Sequence, residues 1–136
     1  MLDAYALVAF PVGGPAAAEV RAILREGDVG VTTANLAETL EIAERLYKLP
    51  VARAFGALQP LLQETLTAVP LDIATAHRAA ELRVGHHHRR ECPISLADTV
   101  FLASISDGDR LATADPDVLA VAEAEKIETV PLPSQS

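Results

Sequence analysis

The sequence has little cysteine, few aromatic residues and no tryptophan. A single cysteine among 136 residues, Cys92, excludes an internal disulfide and is best interpreted as a structural thiol. Aromatic residues make up only 4% of the chain, whereas hydrophobic residues make up 50%. The core must therefore consist of Leu, Val, Ile and Ala, a composition typical of helices packed on a parallel sheet.

A long uninterrupted hydrophobic run is also missing. The longest uncharged run, residues 4–18, contains Pro11, Gly13, Gly14 and Pro15, and it is too short to span a bilayer. The first residues carry no basic charge, and Asp3 lies next to the start, so the pattern of a secretory signal is absent. We therefore expect a cytoplasmic protein without membrane association.

Positive charge is scarce. Eleven Lys and Arg residues stand against 19 Asp and Glu residues, which gives a net charge of −8. This balance argues against a nucleic-acid or membrane binder that works by bulk attraction, so any RNA contact must be local. The Walker P-loop and the patterns G-x-G-x-x-G, G-x-S-x-G and H-E-x-x-H do not occur either, which sets aside several enzyme classes.

Short apolar runs alternate with amphipathic stretches along the chain. Strands are predicted at Val29–Thr32, Val69–Leu71, Leu111–Thr113 and Ile127–Val130, and Met1–Leu2 could end another. Helices are predicted at Ala4–Phe10, Ala16–Glu26, Thr33–Tyr47, Val51–Ala68 with a bend near Pro60, Ile73–Gly85, a segment after Ser95, and Asp117–Glu125. This alternation indicates an α/β fold with a parallel sheet. We expect one domain over residues 1–131 and a mobile C-terminal tail at residues 132–136.

Four acidic residues lie at or near predicted helix starts: Asp3, Glu38, Asp98 and Asp115. Each taken alone fits a capping role. The sequences "NLAE", which ends at Glu38, and "SLAD", which ends at Asp98, match capping boxes, and Pro116 follows Asp115. Taken together, they follow strands whose carboxyl ends share one edge of a parallel sheet, so they can converge in one cleft.

Convergence of carboxylates requires compensation. Two carboxylates about 5 Å apart repel each other by roughly 3 kcal/mol at an effective dielectric constant of 20, so a divalent cation or protonation must relieve the repulsion. An all-oxygen set suits Mg²⁺ or Mn²⁺. A metal held in this way can activate water and stabilise the leaving oxygen of a phosphodiester, which is nuclease chemistry.

Four segments carry a family resemblance over nearly the whole chain. "LDAYALVAF", "ANLAETLEIAERL", "SLADTVFLASIS" and "LATADPDV", in this order, resemble the PIN domain, most closely the VapC toxins of bacterial toxin–antitoxin modules. The resemblance implies a three-layer α/β/α sandwich with a central parallel sheet of four to five strands, an Mg²⁺- or Mn²⁺-dependent endoribonuclease, a cognate antitoxin and a homodimer. It assigns the catalytic and metal-binding acids to Asp3, Glu38, Asp98 and Asp115. Only Met1 and Leu2 precede Asp3, fewer residues than the family commonly has.

Two further residues near the last acid have competing interpretations. Thr113 could orient a carboxylate or a water through its hydroxyl, or it could be an ordinary strand residue. Asp117 could assist from outside the acid cluster, or it could be a favourable charge in the first turn of a helix.

The only basic stretch, "HHHRR" at residues 86–90, has two interpretations besides a solvated loop. His86 and His88 could form at most a weak two-ligand metal site, because three consecutive residues of a helix cannot surround one ion. Alternatively, Arg83, His86, His88, Arg89 and Arg90 could form a local RNA-binding surface. Arg78 would contribute charge to the same region.

Two functions other than a nuclease are compatible with clustered acids. A receiver-like phosphoacceptor module would need paired acids after the first strand and a lysine after the last, whereas here Asp3 is unpaired and "VPLP" follows. A non-catalytic interaction scaffold would keep the fold without the chemistry. For the nuclease, the apolar helices at 36–46 and 51–66 could bound a groove for an antitoxin helix or a second copy of the chain.

Overall fold

The computed structural model describes residues 1–134 and has an α/β fold. Within that range it contains seven helices and four strands, in the order α1 (Ala4–Val12), α2 (Ala17–Glu26), β1 (Val29–Thr32), α3 (Thr33–Tyr47), α4 (Val51–Glu64), β2 (Leu66–Val69), α5 (Ile73–His86), α6 (Leu96–Ala103), β3 (Arg110–Thr113), α7 (Pro116–Ala124) and β4 (Glu128–Pro131).

The four strands form two parallel pairs, β1 with β2 and β3 with β4. The segment Met1–Asp3 lies between them: the Leu2 N–H donates to the Gly30 carbonyl at 2.9 Å, and Leu2 forms a parallel bridge with Ala112. The expected single sheet of four to five strands is therefore not seen among residues 1–134. The linking segment is too short to form more than one bridge, so it connects the two pairs without being a regular strand.

Helix α1 lies at the centre of the core. Its residues Ala4 and Ala6–Ala9 are all buried. On one side Leu7 packs with Leu2 and Val31 of the largest hydrophobic cluster, and on another Val8 packs with Ile42 of α3. Because burial of a Leu or Val side chain contributes about 1.5–3 kcal/mol each, α1 is firmly held, and with it Asp3, which begins the helix.

A second cluster supports the other half of the site. Phe101 of α6, Leu111 of β3 and Val118 of α7 are fully buried and pack together. This contact fixes the starts of α6 and α7 relative to the end of β3.

The predicted boundary between the fourth helix and the second strand was wrong. Helix α4 ends at Glu64 instead of Ala68, and the strand covers Leu66–Val69 instead of Val69–Leu71. The residues after Thr65 are drawn into parallel pairing with β1, which a local pattern does not reveal. Pro60 lies inside α4 without ending the helix. Proline has no N–H to donate to the carbonyl of Gly56, four residues earlier. Because both residues are exposed, water can hydrogen-bond to that carbonyl instead.

The remaining predicted boundaries agree with the structure to within two residues; the bounds of α7 and β4 each differ by one residue. Residue 132, where the tail was expected to begin, is buried in the largest cluster, and its N–H donates to the Thr113 carbonyl at 2.9 Å. Residues 135 and 136 of that tail lie outside the described residues. Among residues 1–134 no single helix is long and apolar enough to cross a membrane; α1 and α2 meet the length and composition criteria only as a pair bent by 99°.

Candidate active site

Asp3 caps helix α1 and is buried. Its Oδ1 accepts a hydrogen bond from the Ala6 N–H at 2.8 Å, and only 6% of the residue is exposed. Its Oδ2 accepts a hydrogen bond from the Thr113 hydroxyl at the end of β3. Both carboxylate oxygens are therefore held by donors from two elements that are far apart in sequence.

Thr113 joins Asp3 to Asp115. While its hydroxyl donates to Asp3, its Oγ1 also accepts a hydrogen bond from the Asp115 N–H at 3.0 Å, and the residue is fully buried. Asp115 in turn caps α7 through the Asp117 N–H at 2.8 Å. The T-x-D sequence thus positions the first and last acids of the set with one hydroxyl.

Asp98 belongs to the capping box at the start of α6, as predicted. Its N–H donates to Ser95 Oγ at 3.0 Å, and its Oδ2 accepts from the Ser95 N–H at 3.1 Å. A cap at this position fixes the carboxylate and leaves its other oxygen without a hydrogen bond in the described chain. Capping and chemistry are therefore compatible at Asp98.

The predicted "NLAE" capping box at Glu38 was wrong. Helix α3 begins at Thr33, as predicted, one turn before that box, and its cap is Thr32, whose Oγ1 accepts from the Asn35 N–H at 3.0 Å. Glu38 is consequently in the second turn, half-buried, and makes no hydrogen bond within residues 1–134. A capping role therefore does not account for this carboxylate.

The carboxylates raise one another's pKa values. Burial, followed by the charges of Asp98 and Asp115, raises the pKa of Asp3 to about 6, against the opposing effect of its two hydrogen bonds. Burial raises the pKa of Asp98, and Asp115 and Asp117 raise it further. Asp98 therefore interacts electrostatically with Asp3 and Asp115.

Glu38 belongs to the same electrostatic group. Burial raises the pKa of Glu38, and the charge of Asp98 raises it further. Arg45, on the same helix, acts in the opposite direction. Among the four acids predicted from sequence, charge interactions thus connect Glu38 to Asp98, and Asp98 to Asp3 and Asp115.

The basic stretch is more dispersed than the sequence suggested. His86 ends α5 and contacts Glu125 at 3.1 Å, and Arg78 pairs with the same carboxylate. Arg83 donates to the Ile94 carbonyl at 3.3 Å, while His88 Nδ1 accepts from the Glu91 N–H at 3.0 Å in a turn. Arg89 and Arg90 are exposed. Arg78 and His86 of α5 are therefore already in contact with Glu125, which directly follows α7.

Sequence reasoning missed two residues near the acids. Asn35 was considered only as a cap, yet it is 2% exposed and its Nδ2 is buried without a hydrogen-bond partner. Cys92 lies near the same site: burial raises the pKa of its thiol, and so do Asp117 and Asp115. A polar residue in line with the apolar face of α3 was the available signal for Asn35; nothing in the sequence signalled Cys92.

The donor set suits a hard divalent cation in its chemistry. It consists of carboxylates that repel one another, and none of the four forms an ion pair within residues 1–134. No group of three or more His, Cys, Asp or Glu side chains in that range is positioned to hold a metal ion as it stands. Ligation would therefore require side-chain rotation, for which the carboxylate of Glu38 is free.

Comparison with known proteins gives one finding at the level of the family. No curated protein matches the chain. The family model for the PIN domain matches residues 1–125, which include all four acids. The chain therefore belongs to the PIN-domain family, whose members are generally nucleases.

Proposed function

We propose that this protein is an Mg²⁺- or Mn²⁺-dependent endoribonuclease that hydrolyses RNA phosphodiester bonds with Asp3, Glu38, Asp98 and Asp115. The observation that carries the proposal is the set of raised pKa values of Asp3, Glu38 and Asp98. These carboxylates come from separate elements, Asp3 is buried and the others are half-buried, and none has a compensating ion pair in the described chain. Repulsion between the carboxylates destabilises such an arrangement unless a bound cation neutralises their charge.

Each acid has a distinct role in this account. Asp3 is the rigid ligand, since both of its oxygens are held by hydrogen bonds. Asp98 and Asp115 each leave one oxygen without a hydrogen bond within residues 1–134, and these oxygens would bind the cation or a water. A bound Mg²⁺ or Mn²⁺ would lower the pKa of water and stabilise the leaving oxygen.

The test is cleavage of RNA by purified protein. Incubation of total RNA and defined oligoribonucleotides with Mn²⁺ or Mg²⁺ should yield discrete products, and addition of EDTA should abolish them. An intact protein, judged by its cooperative thermal unfolding, that cleaves no RNA with either metal would contradict the proposal and favour the interaction scaffold.

We further propose that the protein is a VapC-like toxin of the cytoplasm, held inactive by an antitoxin. A surface at the junction of α3 and α4 supports this role: Leu46, Val51 and Phe55 are 48%, 42% and 38% exposed, an arrangement suited to the apolar face of a partner helix. The same surface could join two copies of the chain in a homodimer.

This partner surface is tested with Phe55→Glu. Expression of the active chain should arrest growth, and co-expression of the small protein encoded next to it should restore growth for the unmodified chain and not for Phe55→Glu. Sedimentation of the isolated chain separates the alternatives, because loss of a dimer in Phe55→Glu would assign the surface to self-association.

A further inference from the structure

Asn35 has a buried amide with no hydrogen-bond partner. The residue is 2% exposed, and its Nδ2 finds no acceptor within residues 1–134. Its backbone serves the helix: the N–H donates to Thr32, and the carbonyl accepts from the Thr39 hydroxyl at 2.7 Å. Unpaired buried polar groups cost free energy and are uncommon in native proteins, so this one requires an explanation.

The geometry of α3 places Asn35 on the same side of the helix as Glu38 and Thr39. Residues of a helix are about 100° apart, so Glu38 lies about 60° to one side of Asn35 and Thr39 about 40° to the other. The charge of Asp98 raises the pKa of Glu38, and the Thr39 hydroxyl contacts the Ala4 carbonyl at 3.4 Å, next to Asp3. Asn35 lies on α3 between these two directions.

Glu38 is the natural acceptor for this amide. Asp3, Asp98 and Asp115 each accept at least one hydrogen bond from a fixed donor, whereas Glu38 accepts none within residues 1–134. Asn35 and Glu38 are three positions apart on one helix, a spacing at which side chains can meet. The two are not bonded in this structure, so contact requires a change of the Glu38 rotamer.

We propose that Asn35 is a positioning residue of the acid site, whose Nδ2 donates a hydrogen bond to the Glu38 carboxylate and holds it toward Asp98 and Asp3 when a divalent cation binds. The inference rests on the proposed metal-dependent function. If Asn35 acts in this way, its unpaired amide destabilises only the metal-free protein, because the amide gains its hydrogen bond when the metal binds. Loss of such a supporting hydrogen bond typically weakens metal affinity about 10- to 100-fold.

The test compares Asn35→Leu with Thr65→Val, a matched control. Thr65 Oγ1 is the other buried side-chain atom without a partner in the described chain, and it lies at the opposite end of β1, where the Val29 N–H donates to the Thr65 carbonyl. In EDTA, both variants should unfold at a temperature equal to or above that of the unmodified protein. Calorimetric titration with Mn²⁺ should show weaker binding, by about 10- to 100-fold, for Asn35→Leu alone.

A double-mutant cycle establishes whether Asn35 acts through Glu38. In a Glu38→Ala background, Asn35→Leu should weaken Mn²⁺ binding no further, because the acceptor of the hydrogen bond is already absent. Unchanged Mn²⁺ affinity in Asn35→Leu, or additive effects in the cycle, would overturn the inference. Should Asn35→Leu fail to fold, Asn35→Ala serves the same comparison. An unmodified protein that binds no Mn²⁺ would overturn the metal-dependent function together with the inference, whereas normal binding by both proteins overturns the inference alone.

Discussion

Asp3 is the residue whose environment departs furthest from that of an ordinary helix cap. Burial raises its pKa to about 6, so the folded protein binds a proton there more tightly than the unfolded chain does. The free energy of unfolding therefore falls as the pH rises from about 4 through 6, because ionised Asp3 is less stable in the fold. A shift of this size corresponds to about 3 kcal/mol at neutral pH.

Asp3→Asn should accordingly stabilise the protein while abolishing its activity. The neutral amide can still accept from Ala6 and contact Thr113, so we expect a gain of about 1–3 kcal/mol at pH 7.5 that disappears near pH 4. Urea unfolding at the two pH values measures the gain. Asp72→Asn is the control of opposite sign, since a hydrogen bond from Thr75 lowers the pKa of Asp72. An Asp3→Asn variant less stable than the unmodified protein at pH 7.5 would contradict this account.

Thr113 is the second residue with a sharp test. Thr113→Val removes the donor to Asp3 and the acceptor for the Asp115 N–H. It should lower the free energy of unfolding by about 1–3 kcal/mol, and it should also abolish RNA cleavage. Thr113→Ser keeps the hydroxyl and should retain most of both. Urea unfolding and a cleavage assay distinguish these outcomes; equal losses in the two variants would indicate that packing of the methyl group matters instead of the hydroxyl.

The short helix α6 carries the central acid, and its capping box is the element that positions it. Ser95→Ala removes the acceptor for the Asp98 N–H and should cost about 1 kcal/mol of stability. It should also reduce the cleavage rate, because the Asp98 carboxylate loses its fixed orientation. Asp72→Ala removes the corresponding cap of α5, whose acceptor lies 2.7 Å from the Thr75 N–H, and should lower stability with cleavage unchanged. Equal cleavage rates in the two variants would show that the capping box of α6 does not contribute to RNA cleavage.

Elements with a local signal were predictable from the sequence. The capping box of α6, the Asp72 cap of α5 and the Asp-Pro start of α7 were all found in the structure. The start of α3 at Thr33 was predicted but its capping residue was not, because Thr32 and Asn35 are both good caps and the choice depends on where β1 ends against β2. The strand at Leu66–Val69 likewise depends on a partner far earlier in the chain.

The candidate site shows the same division. Its acids could be named from sequence because each lies at or near a predicted helix start, and because the family resemblance gives their order along the chain. The contact of Thr113 with Asp3 spans 110 positions, and the unpaired amide of Asn35 exists only in the packed protein. These features required the tertiary structure.

At the scale of the whole molecule, a net charge of −8 opposes RNA binding, so a local basic surface must offset it. Arg89 and Arg90 are exposed and form no ion pair within residues 1–134, unlike Arg78 and His86. Alanine at both positions should raise KM for RNA several-fold with kcat nearly unchanged, and more so at low salt. Arg53→Ala, an exposed arginine on α4, is the control. Unchanged KM in the double variant would make the stretch a solvated loop.

The central claim is that acids at helix starts perform metal-dependent chemistry and do more than cap helices. The most direct test compares RNA cleavage in Mn²⁺ by Asp98→Asn and by Asp72→Asn, two identical changes at helix caps, one inside and one outside the acid set. We expect Asp98→Asn to lose more than about 100-fold in rate and Asp72→Asn to retain the rate of the unmodified protein. Equal rates in the two variants, with EDTA abolishing cleavage by both, would contradict the account.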